Sequence, residues 1–335
     1  AAYAGMILLI MALQFEQAQA LELRGHVKPQ ITVVNIPGKS LLQDFSDDPA
    51  IDTSLDLRLN LSGSSGEWSW RSDYQLLATQ GDQLKLRQQN PDLGFNTVTL
   101  ADDEQRVFDF SHRISDQDDR VVTHRLDRFY LGYSSNKAVF KVGRQAVSWG
   151  NGLIYNPVDF FNPFDPTAID TEYKTGDDML YAQYLLDTGD DLQAVWVGRR
   201  DEEDEVRADV SSLALKYHLF SEAREFDFLA AEHYDATVVA LGGSIDIADA
   251  IWRSDIMLTD TGDERFTSLV LNWSYAWVAW DKNTSVAVEY FRSGFGIGDG
   301  DYNPAALASN PELLSRIERG ELYTLAENYL ATAVT

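Results

Sequence analysis

The sequence predicts an all-β fold, a transmembrane antiparallel up-and-down β-barrel, and three observations predict it. Hydrophobic residues recur with a period of two along most of the chain. The alternating runs are about nine to eleven residues long, the length of a tilted membrane-crossing strand rather than the usual five or six. The connections between them alternate between short and long, as they do in barrels with tight turns at one end and loops at the other. Alternation alone also fits a soluble sandwich, whose apolar faces meet in a core; run length and loop alternation separate the two.

Composition narrows the classes. The chain has 335 residues and no cysteine, which excludes disulfides and thiolate metal sites. Its 27 basic and 53 acidic residues give a net charge of −26, which argues against nucleic acid as a partner. Mean hydropathy is −0.26, a value typical of water-soluble chains. A barrel shows lipid only every second strand residue, so its average stays equally ordinary. Met6 to Phe15 is a short apolar run followed by Ala18-Gln19-Ala20, a small-x-small cleavage pattern. The run is too short to cross a bilayer as a helix. Residues 1–20 therefore read as part of a signal peptide, with the mature chain starting near Leu21 and the barrel occupying 21–335.

The strands follow in order. Leu55, Leu57, Leu59 and Leu61 interleave with Asp56, Arg58 and Asn60. Trp68, Trp70, Tyr74 and Leu76 face away from Arg71, Asp73 and Gln75. Ala138, Phe140 and Val142 oppose Val139 and Lys141, and Leu213, Leu215 and Tyr217 oppose Lys216 and His218. Trp252, Ile256 and Leu258 alternate with Arg253 and Asp255, and Leu269, Leu271, Trp273 and Tyr275 with Asn272 and Ser274. About fourteen strands can be counted, the last (Leu322 to Thr335) weakly patterned, and about sixteen or more are expected if the barrel is complete. Long connections at Asn35–Ala50, Thr79–Asp119 and Gln145–Asp177 alternate with short ones at Gly63–Gly66, Ser135–Lys137 and Thr188–Asp190. The rule fades between Tyr234 and Thr261 and returns at Gly296–Gly320. Trp68, Trp70, Tyr133, Tyr217, Phe226, Phe228, Trp252 and Trp277 all fall near the short-turn ends, as one girdle of an aromatic belt does. The only helical pattern is Pro311 to Arg319.

One connection carries most of the site chemistry. Gly143 to Pro166 reads GRQAVSWGNGLIYNPVDFFNPFDP, too rich in Gly, Asn and Pro for a strand. Its aromatic residues would be costly to leave in water. It is expected to fold into the barrel mouth and narrow it, with Arg144, Trp149, Asn156, Asp159, Phe160, Phe161, Asp165 and Lys174 as constriction residues. Arg144, Asp159, Asp165 and Lys174 are expected to pair in the lumen and pin the loop to the wall. The other reading is a loop packed on itself outside the barrel. The polar wall supplies Asp56, Arg58, Arg71, Asp73, Arg128, Lys141, Lys216, Arg253, Asp255 and Glu289 as lumen-lining residues, whose mixed signs would orient polar solutes. Ion pairs in a plugged interior are the alternative.

Leu126 to Gln183, with LDRFYLGYS, VGRQAVSWGNG and NPVDFFNPFDP, resembles a poorly characterised family of Gram-negative outer-membrane porin-like barrels, and more loosely alginate-export-type barrels. The resemblance implies a bacterial outer-membrane address, with membrane lipid, lipopolysaccharide and small polar solutes as contacts. Barrels of this kind end on an aromatic residue read by the barrel-assembly machinery. This chain ends on Ala333-Val334-Thr335, so a C-terminally truncated barrel is expected.

No ligand spacing joins the five histidines, and no cofactor, metal site or catalytic residue is read from the sequence. The expected function is passive diffusion of small hydrophilic solutes through a narrowed pore. A substrate-specific or exopolysaccharide-export barrel is the alternative, and an outer-membrane hydrolase a third class. The sequence sets neither solute nor oligomeric state.

Overall fold

The computed structural model describes residues 20–36, 48–82, 84–85, 103–117, 119–164, 172–279, 281–298 and 304–335. They form fifteen strands and two short helices. The first strands are β1 (Ala20–Val34), β2 (Ala50–Ser65), β3 (Trp68–Gly81), β4 (Ser111–Gln117), β5 (Arg120–Ser134), β6 (Ala138–Gln145), β7 (Asp177–Leu185) and β8 (Asp191–Val197). After them come β9 (Ser212–Ser221), β10 (Arg224–His233), β11 (Ala236–Ile247), β12 (Ala250–Asp260), β13 (Arg265–Ala279), β14 (Lys282–Arg292) and β15 (Asn328–Val334). The helices, α1 (Pro304–Ala308) and α2 (Pro311–Glu318), lie between β14 and β15.

All pairings are antiparallel between neighbours in sequence, except that β3 pairs β5 and β4 flanks β5 off the main path. This is an up-and-down, all-β architecture. The fourteen strands of the main path match the sequence count. The fifteenth, β4, interrupts what the sequence reads as one very long connection, 79–119. β4 takes up the edge of β5 at Arg120–Arg125, above the point where β6 ends. The helical reading of 311–319 holds, with α1 added before it, and the last strand begins at Asn328 rather than Leu322. Residues 1–19 of the expected signal segment and Asp165 lie outside the described residues, and Ala20, the last residue of that segment, opens β1.

The sheet curls, and one connection proves it. Lys174 gives its Nζ to Asp159 while its carbonyl accepts from Arg128 on β5. Tyr155, four residues before Asp159, donates its N–H to Glu289 on β14. β5 and β14 are nine strand steps apart in the pairing order, about 43 Å in a flat sheet. Four residues reach at most about 14 Å, and a flat sheet would be spanned only if the Arg128, Lys174, Asp159 and Glu289 side chains were all fully extended in one line, so the strands wrap around the connection. That gives the sheet a concave face, which holds the connection, and a convex face.

Alternation then sorts side chains between the two. On β11 Val239 and Leu241 are exposed on the convex face, while Val238 and Ala240 are buried on the concave one. Leu213 and Leu215, Ile256 and Leu258, and Leu271 are likewise exposed and apolar. Two-residue turns close the hairpins β10–β11 at Tyr234-Asp235 and β11–β12 at Ala248-Asp249, each with both residues at positive φ, the twist-matched turn geometry. Convex aromatics gather at the short-turn end. Trp68 meets Tyr133 edge-on at 5.2 Å, Tyr217 stacks with Phe228 at 6.3 Å, and Trp252 meets Trp273 at 6.4 Å.

Candidate functional site

The site is the Gln145–Asp177 connection and the concave wall to which it is fastened. Its first half crosses β7 to β14. Trp149 donates Nε1–H to Gln193 Oε1 on β8 at 2.8 Å. Asn151 gives its backbone N–H to Asp255 Oδ2 at 2.6 Å and its side-chain amide to Asp255 Oδ1 at 2.7 Å and Asp227 Oδ2 at 3.3 Å. Glu289, fully buried, accepts the N–H groups of Leu153, Ile154 and Tyr155 at 2.7, 3.0 and 2.6 Å, and the Asn272 amide at 3.1 Å. Three carboxylates on β10, β12 and β14 thus satisfy loop N–H and amide groups that have no secondary-structure partner.

The backbone needs glycine for this approach. Gly242 on β11 faces Asp255, and a Cβ there would lie 2.0 Å from Asp255 Oδ1 and 2.8 Å from Asn151 Nδ2. Gly150, at φ +92°, leaves room for Asn156, whose side-chain amide closes the turn by donating to the Trp149 carbonyl at 2.8 Å.

The aromatics of the loop fill the wall side of the interior. Trp149, Phe160 and Phe161 are buried with Met179, Val195, Val197, Ala214, Leu229, Ala231, Val238, Ala240 and Met257, all concave residues of β7 to β12. Leu313 of α2 and Phe295 join the same core. This corrects the reading of the concave face as a uniformly polar wall. Where Phe160 and Phe161 rest, the wall is apolar, because a dry contact with their rings needs partner atoms and not water. Beneath Gly150–Leu153, at the short-turn end, a polar cavity of ≈ 500 Å³ remains, lined among others by Glu225, Ser244, Asp246 and Arg253.

The second half of the connection meets β1 to β5. Lys28 on β1 pairs with Glu172 at 2.6 Å, Asn60 on β2 donates to the Tyr173 hydroxyl at 3.1 Å, and the Arg58 guanidinium lies 4.0 Å from the centre of the Tyr173 ring. Arg58 Nη1 donates to Asp127 Oδ2 at 2.9 Å, Arg128 Nη1 to the same oxygen at 2.9 Å, and Arg71 binds Asp73 through Nε and Nη2. Arg125 donates to Gln75, which in turn donates to Asp56. Lys174 is buried and donates to the Val147 carbonyl and Asp159 Oδ1, tying the two halves together. Burial drives the Asp159 carboxyl upward and the Lys174 ammonium downward, and their attraction opposes each shift.

The ten wall residues expected from sequence all lie on the concave face by register. Asp56, Arg58, Arg71, Asp73 and Arg128 gather on β2, β3 and β5. Lys141 lies beside Tyr130 and Tyr181, and Lys216 pairs with Asp227 at 3.0 Å beneath Trp149. Arg253 reaches Ser274 at 3.0 Å, and Asp255 and Glu289 hold the loop. Of the constriction residues, Trp149, Asn156, Asp159, Phe160, Phe161 and Lys174 are inside.

Arg144 is not. It continues the convex row of Phe140 and Val142, pairs with Phe129 and Asp178 in register, and is clamped between Asp178 and Asp103 at 2.9 Å. Its Nη2 caps the Phe108 carbonyl at 2.6 Å, and Phe110 covers it. Arg144 therefore pins residues 103–110 over the convex face rather than pinning the loop in the lumen. Burial opposes ionisation of Asp103, yet Arg144 and Arg106 hold its carboxyl below the ordinary range.

Sequence reasoning missed a second fastening. Glu321, in the connection after α2, meets His233 Nε2 at 3.0 Å, Arg316 at 2.8 Å and Arg319 at 2.7 Å. Burial works against its charge, but His233, Arg319 and Arg316 keep the carboxyl well below the usual carboxylate range. His233 Nδ1 lies 2.7 Å from Ser212 Oγ, which also accepts from Arg199 at 2.7 Å. The order Ser-His-acid has the form of a nucleophile relay. With Ser212 at 2% and His233 at 1% exposure, and Phe160 and Phe161 over the ring, it holds the loop, α2 and β10 together.

No family model matches the chain, and no curated protein matches it. Among solved structures it is similar to OccK7 (OpdD) of Pseudomonas aeruginosa, with 13% identity, 81% of this chain and 66% of that one covered, and a TM-score of 0.39. OccAB1 of Acinetobacter baumannii gives 8% identity, 85% and 68% coverage and a TM-score of 0.43. A mutant of Rh. blastica porin gives 9% identity, 82% and 95% coverage and 0.35. The chain spans slightly under two thirds of OccK7 and of the related OccK5 (OpdH), 66% and 64%.

Proposed function

We propose that the chain is an outer-membrane, porin-like channel through which small hydrophilic solutes diffuse, narrowed by the inward-folded connection between β6 and β7. In this reading the short turns lie in the periplasm, the convex face meets lipid and lipopolysaccharide, and no bond chemistry occurs. The observation that carries it is the fastening of one connection to concave residues from β1 to β14, opposite a convex face of exposed leucine, valine and tryptophan. A buried polar anchorage inside and an apolar surface outside suit a membrane barrel with a fixed internal constriction.

A substrate-specific or polymer-export barrel is the second reading. It is favoured by the dry core that Trp149, Phe160 and Phe161 build over β7 to β12, which leaves only part of the cross-section for passage. Reconstitution in planar bilayers separates the two. The channel reading expects ohmic steps that do not saturate with solute concentration, and larger steps after deletion of residues 150–156. Silent insertions, or currents blocked by one sugar or polymer, would favour the second reading instead.

A further inference from the structure

Two small residues leave a gap in an otherwise bulky outer wall. Ala182 on β7 and Ala194 on β8 stand opposite each other in register on the convex face. Phe140 is the neighbour of Ala182 on β6, and Leu180 and Trp196 form the next convex pair toward the long-loop end. Trp196 does not cover the alanines. Its ring lies beside Gly198, where a Cβ would meet it at 2.8 Å, and so leans away from Ala194. What remains is a hollow of ≈ 390 Å³, floored by the two alanines and walled by Phe140, Val142, Leu180 and Trp196. It is a slanting groove, reaching Trp68 and Tyr133 on one side and Leu213 on the other. Trp68 opens β3 at a short turn, whereas Leu213 lies at the end of β9 away from its turn. The groove therefore starts in the aromatic girdle and climbs into the apolar band.

Charged groups gather at the girdle end. The Tyr133 hydroxyl donates to Glu67 at 2.7 Å, and Lys137 pairs with Asp187 at 2.6 Å on exposed turns. Backbone bonds hold these turns side by side: Ser134 N–H donates to the Glu67 carbonyl at 2.7 Å, and Leu185 N–H to the Lys137 carbonyl at 2.7 Å. In strand order Lys137 thus stands between two carboxylates. A head that carries both a phosphate and an ammonium matches that arrangement. A head with a negative charge alone meets two carboxylates for one lysine. Hydrophobic transfer selects no particular chain here, since surrounding lipid is as apolar as the groove. Selectivity has to come from packing over the alanines and from the head.

We propose that this groove is a binding site for one phospholipid with a phosphoethanolamine head. One acyl chain lies over Ala182 and Ala194, the phosphate meets Lys137, and the ammonium meets Glu67 or Asp187. The site rests on the membrane assignment of the convex face and not on an open pore.

The probes are phosphatidylethanolamine and phosphatidylglycerol with the same acyl chains, added to the full chain in detergent and read by native mass spectrometry. The wild type should hold one ethanolamine lipid and prefer it over the glycerol lipid about threefold, the worth of one exposed ion pair. Ala194→Leu fills the floor and should weaken retention about tenfold, the worth of roughly ten lost atom contacts. Ala230→Leu, on the convex face of β10 outside the groove, should leave retention unchanged. Glu67→Gln combined with Asp187→Asn should abolish the preference for ethanolamine. Adducts with no headgroup preference and no response to A194L would overturn the site, since ordinary solvating lipid behaves that way. A dimer or trimer mass that A194L disperses would overturn it too, because a second copy would then cover the groove. Either result leaves the membrane assignment in place, whereas protein that stays soluble without detergent removes that assignment as well. Should A194L not fold, the wild-type competition between the two lipids still decides.

Discussion

Glu289 shows how one side chain fixes a loop of many residues. A carboxylate has about four acceptor sites, and here three take backbone N–H groups and one an asparagine amide. Glutamine at this position keeps the shape but loses the charge and one acceptor oxygen. Glu289→Gln should therefore ease local opening of residues 150–156 by about 2 kcal/mol, seen as roughly thirtyfold faster limited proteolysis in micelles. Cleavage at the wild-type rate would mean that the aromatic core alone retains the loop. Gly242 tests the same contact from the opposite wall, by adding volume instead of removing charge. Gly242→Ala puts a methyl group into Asp255 and the Asn151 amide, at a cost of about 1–3 kcal/mol. The same cleavage assay should show faster cutting, and noisier open-channel current should accompany it.

At the level of elements, what the sequence could show divides along the range of the interactions. Period-two alternation is local, so β2, β3, β9, β12 and β13 were legible, as were the short turns and the side of the wall on which Arg58, Asp255 and Glu289 lie. Alternation also assigned Arg144 to the row of Phe140 and Val142. Reading its charge as lumenal overrode the pattern, because Asp103, the partner that makes a buried convex arginine tolerable, is 41 residues away. β4 was missed because SHRISDQ contains a single large apolar residue, Ile114, and is held by the free upper edge of β5. The Glu321 fastening was missed for the same reason, since it joins residues 88 positions apart. It makes a pH prediction. The folded-state pKa of Glu321 is depressed below its ordinary value of 4.5, so its contribution is complete above that pH and fades as pH falls toward the folded value. Acidification should therefore lower the amide protection factors of residues 311–322, corrected for the intrinsic pH dependence of exchange, before those of the sheet. Glu321→Gln should show fast exchange already at neutral pH, with little further change on acidification. A wild-type profile that is flat down to the acid unfolding of the sheet would show that Arg316 and Arg319 find other partners.

For the whole molecule, the decisive question is what covers the convex face. Leu213, Leu215, Val239, Leu241, Leu258 and Leu271 are each about half exposed, and together they form a band across β9 to β13 between the aromatic end and the loop end. In water such a band would be an aggregation surface, far larger than the apolar patches that soluble monomers carry. In a bilayer it is the low-energy surface, and the Trp68, Trp252 and Trp277 girdle sits where indole rings prefer the headgroup boundary. The two environments assign opposite costs to one substitution. Val239 lies at mid-strand on β11, paired with Ala230 and Leu258, with its side chain pointing away from the interior. Val239→Arg at an exposed site in water should change stability by less than about 0.5 kcal/mol. At a bilayer midplane it should cost about 2–4 kcal/mol. Reversible unfolding from phospholipid vesicles, compared with the same variant at Ile247, exposed on the same convex face beside the turn, measures the difference. A large penalty at 239 and a small one at 247 fits lipid along the band. Equal, small penalties would mean that another protein surface or water meets it, and the membrane assignment would fall with them.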